Sequence, residues 1–264
     1  MDLQLRDRRA LVTGSTAGIG YAIARRLAQE GARVILGGRE QVRVAEACEA
    51  LRSDVPGAKV EGIAADLARE EGARRILAAF PDVDVLVNNV GAYVAKPLEE
   101  LQTADWLESF AVNVLSGAWL ARHHLLRMLA RDDGRIVFIS SESALQIPVE
   151  MIHYGVSKAA QAALARGLAE RTRGTRVTVN TVLAGPTRSE GVAAFVEGLA
   201  QRRGVPPAEV ERDFFATARP TSLLQRFADT DEIATVVAFL ASPLASAVNG
   251  AAVRAEGGVL KGVY

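Results

Sequence analysis

The sequence predicts an α/β fold in which a doubly wound parallel sheet, covered by helices on both faces, forms one domain. Three observations lead there. Apolar runs rich in β-branched residues alternate with longer segments of helical period, the pattern of successive right-handed βαβ units. The first such run, 9-RALVT-13, passes straight into a glycine-rich turn, 14-GSTAGIG-20, and then a helical segment. The 264 residues are 49% hydrophobic and 23% charged, ordinary values for a globular chain that can bury a large core.

In chain order, strands are expected near 9–13, 33–37, 59–63, 84–88, 134–140, 175–183 and 250–254. Helices are expected near 18–30, 40–52, 69–79, 103–130, 153–172 and 229–241. Each strand segment is a short β-branched run, and each helix segment repeats its apolar residues at three- and four-residue intervals. The rhythm breaks once, at about 187–228, where 191-GVAAFVEGLAQRRGVPPAEVERDFFATARP-220 holds two helical patterns split by Pro206 and Pro207. An insertion of this size, placed after the carboxyl end of a strand, is expected to act as a lid over a ligand site.

Composition excludes several classes of partner. Basic and acidic residues balance at 31 each, so no global field draws in nucleic acid or an anionic membrane. The apolar runs are too short to span a bilayer, and the start MDLQLRDRR lacks the apolar stretch of a secretion signal. A cytoplasmic location is the expectation. Cys48 is the single cysteine, in the helix-like stretch RVAEACEAL, where it reads as core filler and can build no metal site by itself.

The glycine turn has a physical purpose. Gly14, Gly18 and Gly20 let the chain reverse sharply and approach a ligand closely, and the helix that follows offers its first amides to a pyrophosphate. With Thr13 before it, TGSTAGIG resembles the nucleotide turn of the short-chain dehydrogenase/reductase family, whose members carry a Rossmann fold. That resemblance implies dinucleotide contacts from Gly14, Ser15, Gly18, Ile19 and Gly20. After the second strand, Gly38 stands where NAD-preferring members carry an acid, and Arg39 follows it. A guanidinium there can clamp a 2′-phosphate that a carboxylate would repel, so NADP(H) is favoured, with NAD(H) as the alternative. Asp66, followed by Leu67, matches the family's acid at the adenine, or serves as a local helix cap. The run 84-DVLVNNVG-91 resembles the family's N-N-A-G element, with Asn88 supporting the sheet and Asn89 and Gly91 beside the adenosine ribose; Val90 replaces the usual alanine. In 180-NTVLAGPTRSE-190, Gly185, Thr187 and Ser189 match the element beside the carboxamide, with Ala184 in place of proline and Ser189 in place of threonine. The last strand and its glycine pair, 250-GAAVRAEGG-258, carry Glu256 where aspartate is commoner.

The stretch 151-MIHYGVSK-158 sets Tyr154 and Lys158 one turn apart on one helix face. A nearby ammonium favours phenolate, so a lowered tyrosine pKa is expected. The family's catalytic serine falls on Ser141, thirteen residues earlier; Ser140 and Ser143 are rivals, and Ser140 should face the other way along a strand. Asn113, in 110-FAVNVLSGAW-119, matches the asparagine that completes the family's proton relay. The catalytic set implied by the resemblance is therefore Asn113, Ser141, Tyr154 and Lys158.

The resemblance implies an oxidoreductase that interconverts a ketone and a secondary alcohol by hydride transfer, with reduction favoured. The alternative is a catalytically inactive nucleotide-sensing or scaffold protein on the same fold. A sugar-nucleotide epimerase is disfavoured by the short chain. Tyr93, Val94, Glu142, Ser143, Glu150, Met151 and His153 are candidates for the substrate pocket. A free Glu142 carboxylate beside Ser141 would favour a neutral or cationic substrate, the alternatives being that it faces solvent or pairs with an arginine, whereas Arg202, Arg203 and Arg212 of the insertion keep a 3-oxoacyl thioester in view. Relatives of this kind are commonly homotetramers or homodimers, the tetramers built through the helices at 103–130 and 153–172 and through the last strand.

Overall fold

The computed structural model describes residues 1–263. Strand β1 (Arg9–Val12) leads into helix α1 (Gly18–Gln29), followed by β2 (Arg33–Gly38), α2 (Gln41–Asp54), β3 (Lys59–Ala64), α3 (Glu70–Ala79) and β4 (Val85–Asn88). The second half runs α4 (Thr103–Phe110), α5 (Ser116–Ala130), β5 (Arg135–Ser141), α6 (Ile152–Glu170) and β6 (Thr178–Ala184). Seven strands make one sheet in the order β3-β2-β1-β4-β5-β6-β9, where β9 is Ala252–Ala255. Every pairing in it is parallel. The chain reverses its direction of winding between β1 and β4, so the crevice for a ligand opens beyond the carboxyl ends of those two strands.

Alternation along the strands divides the core. Ala10, Val12, Val85, Val87, Val137 and Ile139 face one side with α1, α2 and α9 (Thr230–Ala241). Leu11, Leu86, Ile136 and Phe138 face the other, with α3, α5 and α6. Phe138 and Leu120 are fully buried, each contributing about 1.5–3 kcal/mol of transfer free energy. Cys48 is buried in the first layer, its thiol pushed up by burial. Among the described residues, no helix is long and apolar enough to cross a membrane.

The insertion closes on itself. Strands β7 (Thr187–Arg188) and β8 (Ala228–Asp229) pair at its base, and between them run α7 (Glu190–Arg203) and α8 (Pro207–Thr217). Gly204 ends α7 in the left-handed conformation at φ 67°, and Pro207 begins α8 at a position that needs no amide hydrogen. Val196, Ala200, Val210, Phe215 and Phe227 form a small core of their own, with Phe214 stacked on Phe227 at 5.2 Å.

The helix expected over 103–130 is broken. A π turn over Ala111–Leu115 separates α4 from α5, and Asn113 sits inside it. The extra residue per turn widens the helix there and lets the Asn113 amide reach the loop after β4. The last strand starts two residues later than expected, and β6 starts at Thr178 because Arg173–Val177 form the connecting turn.

Candidate active site

Four loops meet at the carboxyl edge. The first is the glycine turn. Gly14 and Gly18 hold φ of 59° and 57°, which side chains disfavour. A Cβ on Gly20 would lie 2.3 Å from the Gly14 carbonyl oxygen, so only glycine fits between helix and turn. Helix α1 begins without a side-chain cap, and no acid stands in its first turn. Uncapped, positively poled amides beside bare glycine backbone suit a diphosphate. Ser15 does not extend into the crevice: its hydroxyl donates to the Val12 carbonyl (2.7 Å) and accepts from the Gly37 amide (3.0 Å), tying the turn to β2.

The second loop follows β4. Thr13 Oγ1 accepts from the amides of Asn89 (3.0 Å) and Val90 (3.1 Å), while Asn89 Nδ2 donates to the carbonyls of Thr13 (3.0 Å) and Gly14 (2.9 Å). Asn89 thereby locks the glycine turn from behind. The Asn88 side chain is buried with no hydrogen-bond partner. At the rim, Arg39 is exposed just after Gly38. A Cβ at 38 would fall 2.5 Å from Thr16 Cγ2, so an acid at that position would need Thr16 to move. Asp66 accepts from the Ala68 amide (3.0 Å) in a local turn and stays exposed; Leu67 is core, leaving only its backbone for a ligand.

The third group gathers the residues expected to be catalytic. Lys158 is 4% exposed; its Nζ donates to the Ile139 carbonyl (2.9 Å) and Gln161 Oε1 (3.2 Å) and lies 5.9 Å from the Tyr154 ring centre. A Cβ on Gly91 would meet that Nζ at 3.1 Å, so the loop after β4 passes directly over the lysine. Asn113 is fully buried. Its Oδ1 accepts from the Ala92 amide (2.8 Å), and its Nδ2 donates to the Ala92 carbonyl (3.0 Å) and Ser157 Oγ (2.8 Å). It fastens that loop to α6. Ser140 points away, as alternation requires, donating to the Lys158 carbonyl (2.9 Å).

The electrostatics correct one expectation. The Tyr154 phenol is not lowered; burial pushes it up to about 12, against a smaller opposing effect of the Ser141 hydrogen bond, with the Glu142 charge adding to the rise. Burial also brings Lys158 down to about 8. Desolvation acts on both groups, and at this separation the ammonium does not offset it for the phenol.

For Glu142 the structure selects the arginine-paired alternative. It is not a free carboxylate: it is 4% exposed, and its Oε1 accepts from Arg219 Nε (2.9 Å) while its Oε2 accepts from Ser141 Oγ (2.5 Å). The inference of a neutral or cationic substrate therefore loses its premise, because the charge is paired. The Ser143 amide donates to Ser141 Oγ (3.1 Å). Arg219, just beyond α8, escaped the sequence reading: it is 77 positions from Glu142, and only the rule that a buried charge needs a partner could have prompted the search.

The remaining expected pocket residues divide. Tyr93 is exposed, its ring 6.1 Å from that of Tyr154. Val94 is exposed, Met151 half-buried, and the Glu150 carboxylate stands 3.9 Å from Arg219 Nη1. His153 is buried against Trp106 at 6.3 Å. Of the arginines expected to suit a thioester, Arg203 is bound to Asp213 (2.6 Å) and Arg212 lies 3.9 Å from Glu209.

The fourth loop joins β6 to the insertion. A Cβ on Gly185 would lie 2.6 Å from Glu256, whose carboxylate accepts from Arg254 Nε (2.8 Å) and the Leu260 amide (3.2 Å). Thr187 Oγ1 donates to the Gly185 carbonyl (2.9 Å). Ser189 caps α7, accepting from the Val192 amide (3.3 Å), and its Cβ would stand 3.3 Å from a Cβ on Gly18. The start of the insertion thus abuts the glycine turn. An apolar groove lined by Leu145, Ala162, Arg166, Gly250 and Ala252 lies elsewhere; neither Tyr154 nor Lys158 lines it.

Known proteins resemble the chain across its whole length. The chain is 43% identical over 264 residues to the uncharacterized oxidoreductase YvaG of Bacillus subtilis, covering 100% of both chains. It is 31% identical to the 3-oxoacyl-[acyl-carrier-protein] reductase FabG of Aquifex aeolicus, covering 98% of this chain and 100% of that one. The L-sorbose reductase of Gluconobacter frateurii, solved with NADPH and L-sorbose, superposes with a TM-score of 0.91 at 29% identity, with 100% of each chain covered. Residues 8–199 match the sequence pattern of short chain dehydrogenases, and the chain is a member of that oxidoreductase family.

Proposed function

We propose that the protein is an NADP(H)-dependent reductase that converts a ketone to a secondary alcohol, reversibly, with 3-oxoacyl compounds and ketoses as the substrate classes to test first. The observation that carries this reading is the convergence of Ser141, Tyr154 and Lys158 on a crevice whose other wall is the uncapped glycine turn. Bound there, a nicotinamide dinucleotide would supply the hydride. The first amides of α1 would hold its diphosphate, Asn89 and Gly91 would border the adenosine ribose, and Thr187 and Ser189 would lie by the carboxamide. Arg39 would hold a 2′-phosphate; Gly38 leaves that position free of the competing carboxylate. NAD(H) would leave Arg39 without a partner.

In reduction, Tyr154 gives its proton to the substrate oxygen. A phenol held at about 12 remains protonated at neutral pH, as a proton donor must, and Lys158 steadies the phenolate that results. Ser141 orients the same oxygen. Asn113 holds the loop after β4 against α6, keeping Gly91 over the lysine. The insertion, with α7 starting beside Gly18, would serve as a lid. Assembly of two or four copies through the apolar groove at α6 and β9 belongs to the same reading.

Tyr154→Phe is the direct test. Stopped assays of NADPH oxidation with L-sorbose and a 3-oxoacyl thioester should fall by about 10²–10⁴-fold, with NADPH binding preserved. Unchanged turnover would remove Tyr154 from the chemistry.

A further inference from the structure

A buried ion pair stands directly behind the serine. Arg219 and Glu142 are 8% and 4% exposed, although the two belong to distant parts of the chain. Arg219 arrives from the insertion: its own amide bonds the Phe214 carbonyl (3.1 Å), and the guanidinium carbon lies 5.9 Å from the Phe214 ring centre. Downstream, the amides of Leu223 and Leu224 bond the Gly257 carbonyl at 2.8 and 3.0 Å, fixing the returning segment to the end of the main sheet. Glu142 comes from the turn after β5. One carboxylate oxygen faces the guanidinium and the other the Ser141 hydroxyl.

A carboxylate accepts hydrogen bonds and cannot donate them. In the free site the Ser141 proton is therefore directed to Glu142 and the Ser143 amide fills one lone pair, so the hydroxyl must turn from the carboxylate before it can donate to the phenol or to a substrate carbonyl. How tightly Glu142 holds that proton depends on how much of its charge Arg219 draws away. Without the guanidinium, the carboxylate would hold the hydroxyl alone in a dry site, where an unpaired charge is costly.

We propose that Arg219 is a positioning residue which, through Glu142, orients the hydroxyl of Ser141, so that the insertion forms part of the catalytic centre. The proposal rests on the reductase reading only for its kinetic consequence. The groups facing Tyr154 are Glu142 after β5, Arg219 after α8, Tyr93 after β4 and Lys158 on α6, with Glu150 beside Arg219. Arg219 favours the phenolate and Glu142 opposes it. Removing each should therefore move the tyrosine in opposite directions, which loss of packing would not do.

The experiment compares wild type, Arg219→Lys, Arg219→Met, Glu142→Gln and the double variant Arg219→Met/Glu142→Gln. NADPH oxidation with L-sorbose and a 3-oxoacyl thioester gives kcat and KM. Tyrosinate absorbance of the NADP⁺ complexes, with Tyr154→Phe variants subtracted, follows Tyr154 alone. Arg219→Met is expected to lose about 10–100-fold in kcat, the range of a charged hydrogen bond, with NADPH affinity within twofold of wild type. Arg219→Lys should recover part of that loss. The double variant should exceed Arg219→Met, since it leaves no lone carboxylate. The phenol should titrate higher in Arg219→Met and lower in Glu142→Gln. A double variant that loses the product of the single losses, or single variants that move the phenol alike or not at all, overturns the proposal. If wild type reduces neither probe, the reductase reading falls for those substrates, and the tyrosinate titration alone decides whether the Arg219–Glu142 pair governs this site.

Discussion

The two walls of the crevice use polar chemistry in opposite ways. On the nucleotide wall, Thr13, Ser15 and Asn89 bond backbone groups of β1, β2, β4 and the turn itself, and among the described residues no charged side chain of that wall is buried. On the opposite wall, Lys158, Glu142 and Arg219 are all buried, and Tyr154 and Lys158 are displaced from their ordinary protonation ranges. The first wall is a neutral scaffold that exposes amides to an anion. The second stores ionisable groups at a cost in stability, because burying a charge is unfavourable unless it is paired. One wall leaves backbone bare; the other gathers the groups proposed to move a proton.

Lys158→Met separates these characters most sharply. Activity should fall by about 10²–10⁴-fold, while the folded state gains stability. The sign follows from linkage: the lysine is lowered from 10.5 to about 8, so between those values the unfolded chain binds the extra proton and stability rises with pH. Below about 8 the folded state bears the whole cost of the buried charge, of order 3 kcal/mol from the shift. Loss of the bonds to Ile139 and Gln161 offsets about 1 kcal/mol of the relief. Thermal melts at pH 7 and pH 10 should show the variant ahead at pH 7 and level with wild type at pH 10; a variant that melts lower at pH 7 would contradict a charged buried lysine.

Gly20→Ala addresses the other wall and should reverse the stability sign. The new methyl would meet the Gly14 carbonyl oxygen at 2.3 Å and Asn89 Nδ2 at 2.5 Å, so denaturation should show a loss of about 1–3 kcal/mol. NADPH affinity, read by fluorescence, should fall with it. Arg39→Gln should leave stability unchanged and reduce the preference for NADP(H) over NAD(H) by about tenfold to a hundredfold, the range of a hydrogen bond to a charged group. An unchanged ratio of kcat/KM values would assign Arg39 to the solvated surface. The smallest effect belongs to Cys48→Ala, in the core behind the nucleotide wall: about 1 kcal/mol for the lost sulfur, with turnover untouched.

The walls also differed in how far the sequence disclosed them. The glycine turn is legible because its members are contiguous and each glycine answers a backbone demand that no other residue meets. Tyr154 and Lys158 are legible as a pair, since the helix period puts them on one face, and Ser141 is legible through the spacing it shares with the family it resembles. The π turn at Asn113 was not, because the residues it serves, Ala92 and Ser157, lie 21 and 44 positions away. Nor was the sense of the phenol's shift, which burial decides and spacing does not record.

The sequence alone determined the alternation of strands and helices, the site of the anion-binding turn and the pairing of phenol with ammonium, because all of these follow from short-range periodicity and backbone geometry. Only the tertiary structure decided that Glu142 is paired, that Arg219 reaches the serine from the insertion, and that desolvation outweighs the lysine's charge. Those outcomes depend on which groups are excluded from water together, and that is fixed by chain segments far apart in sequence.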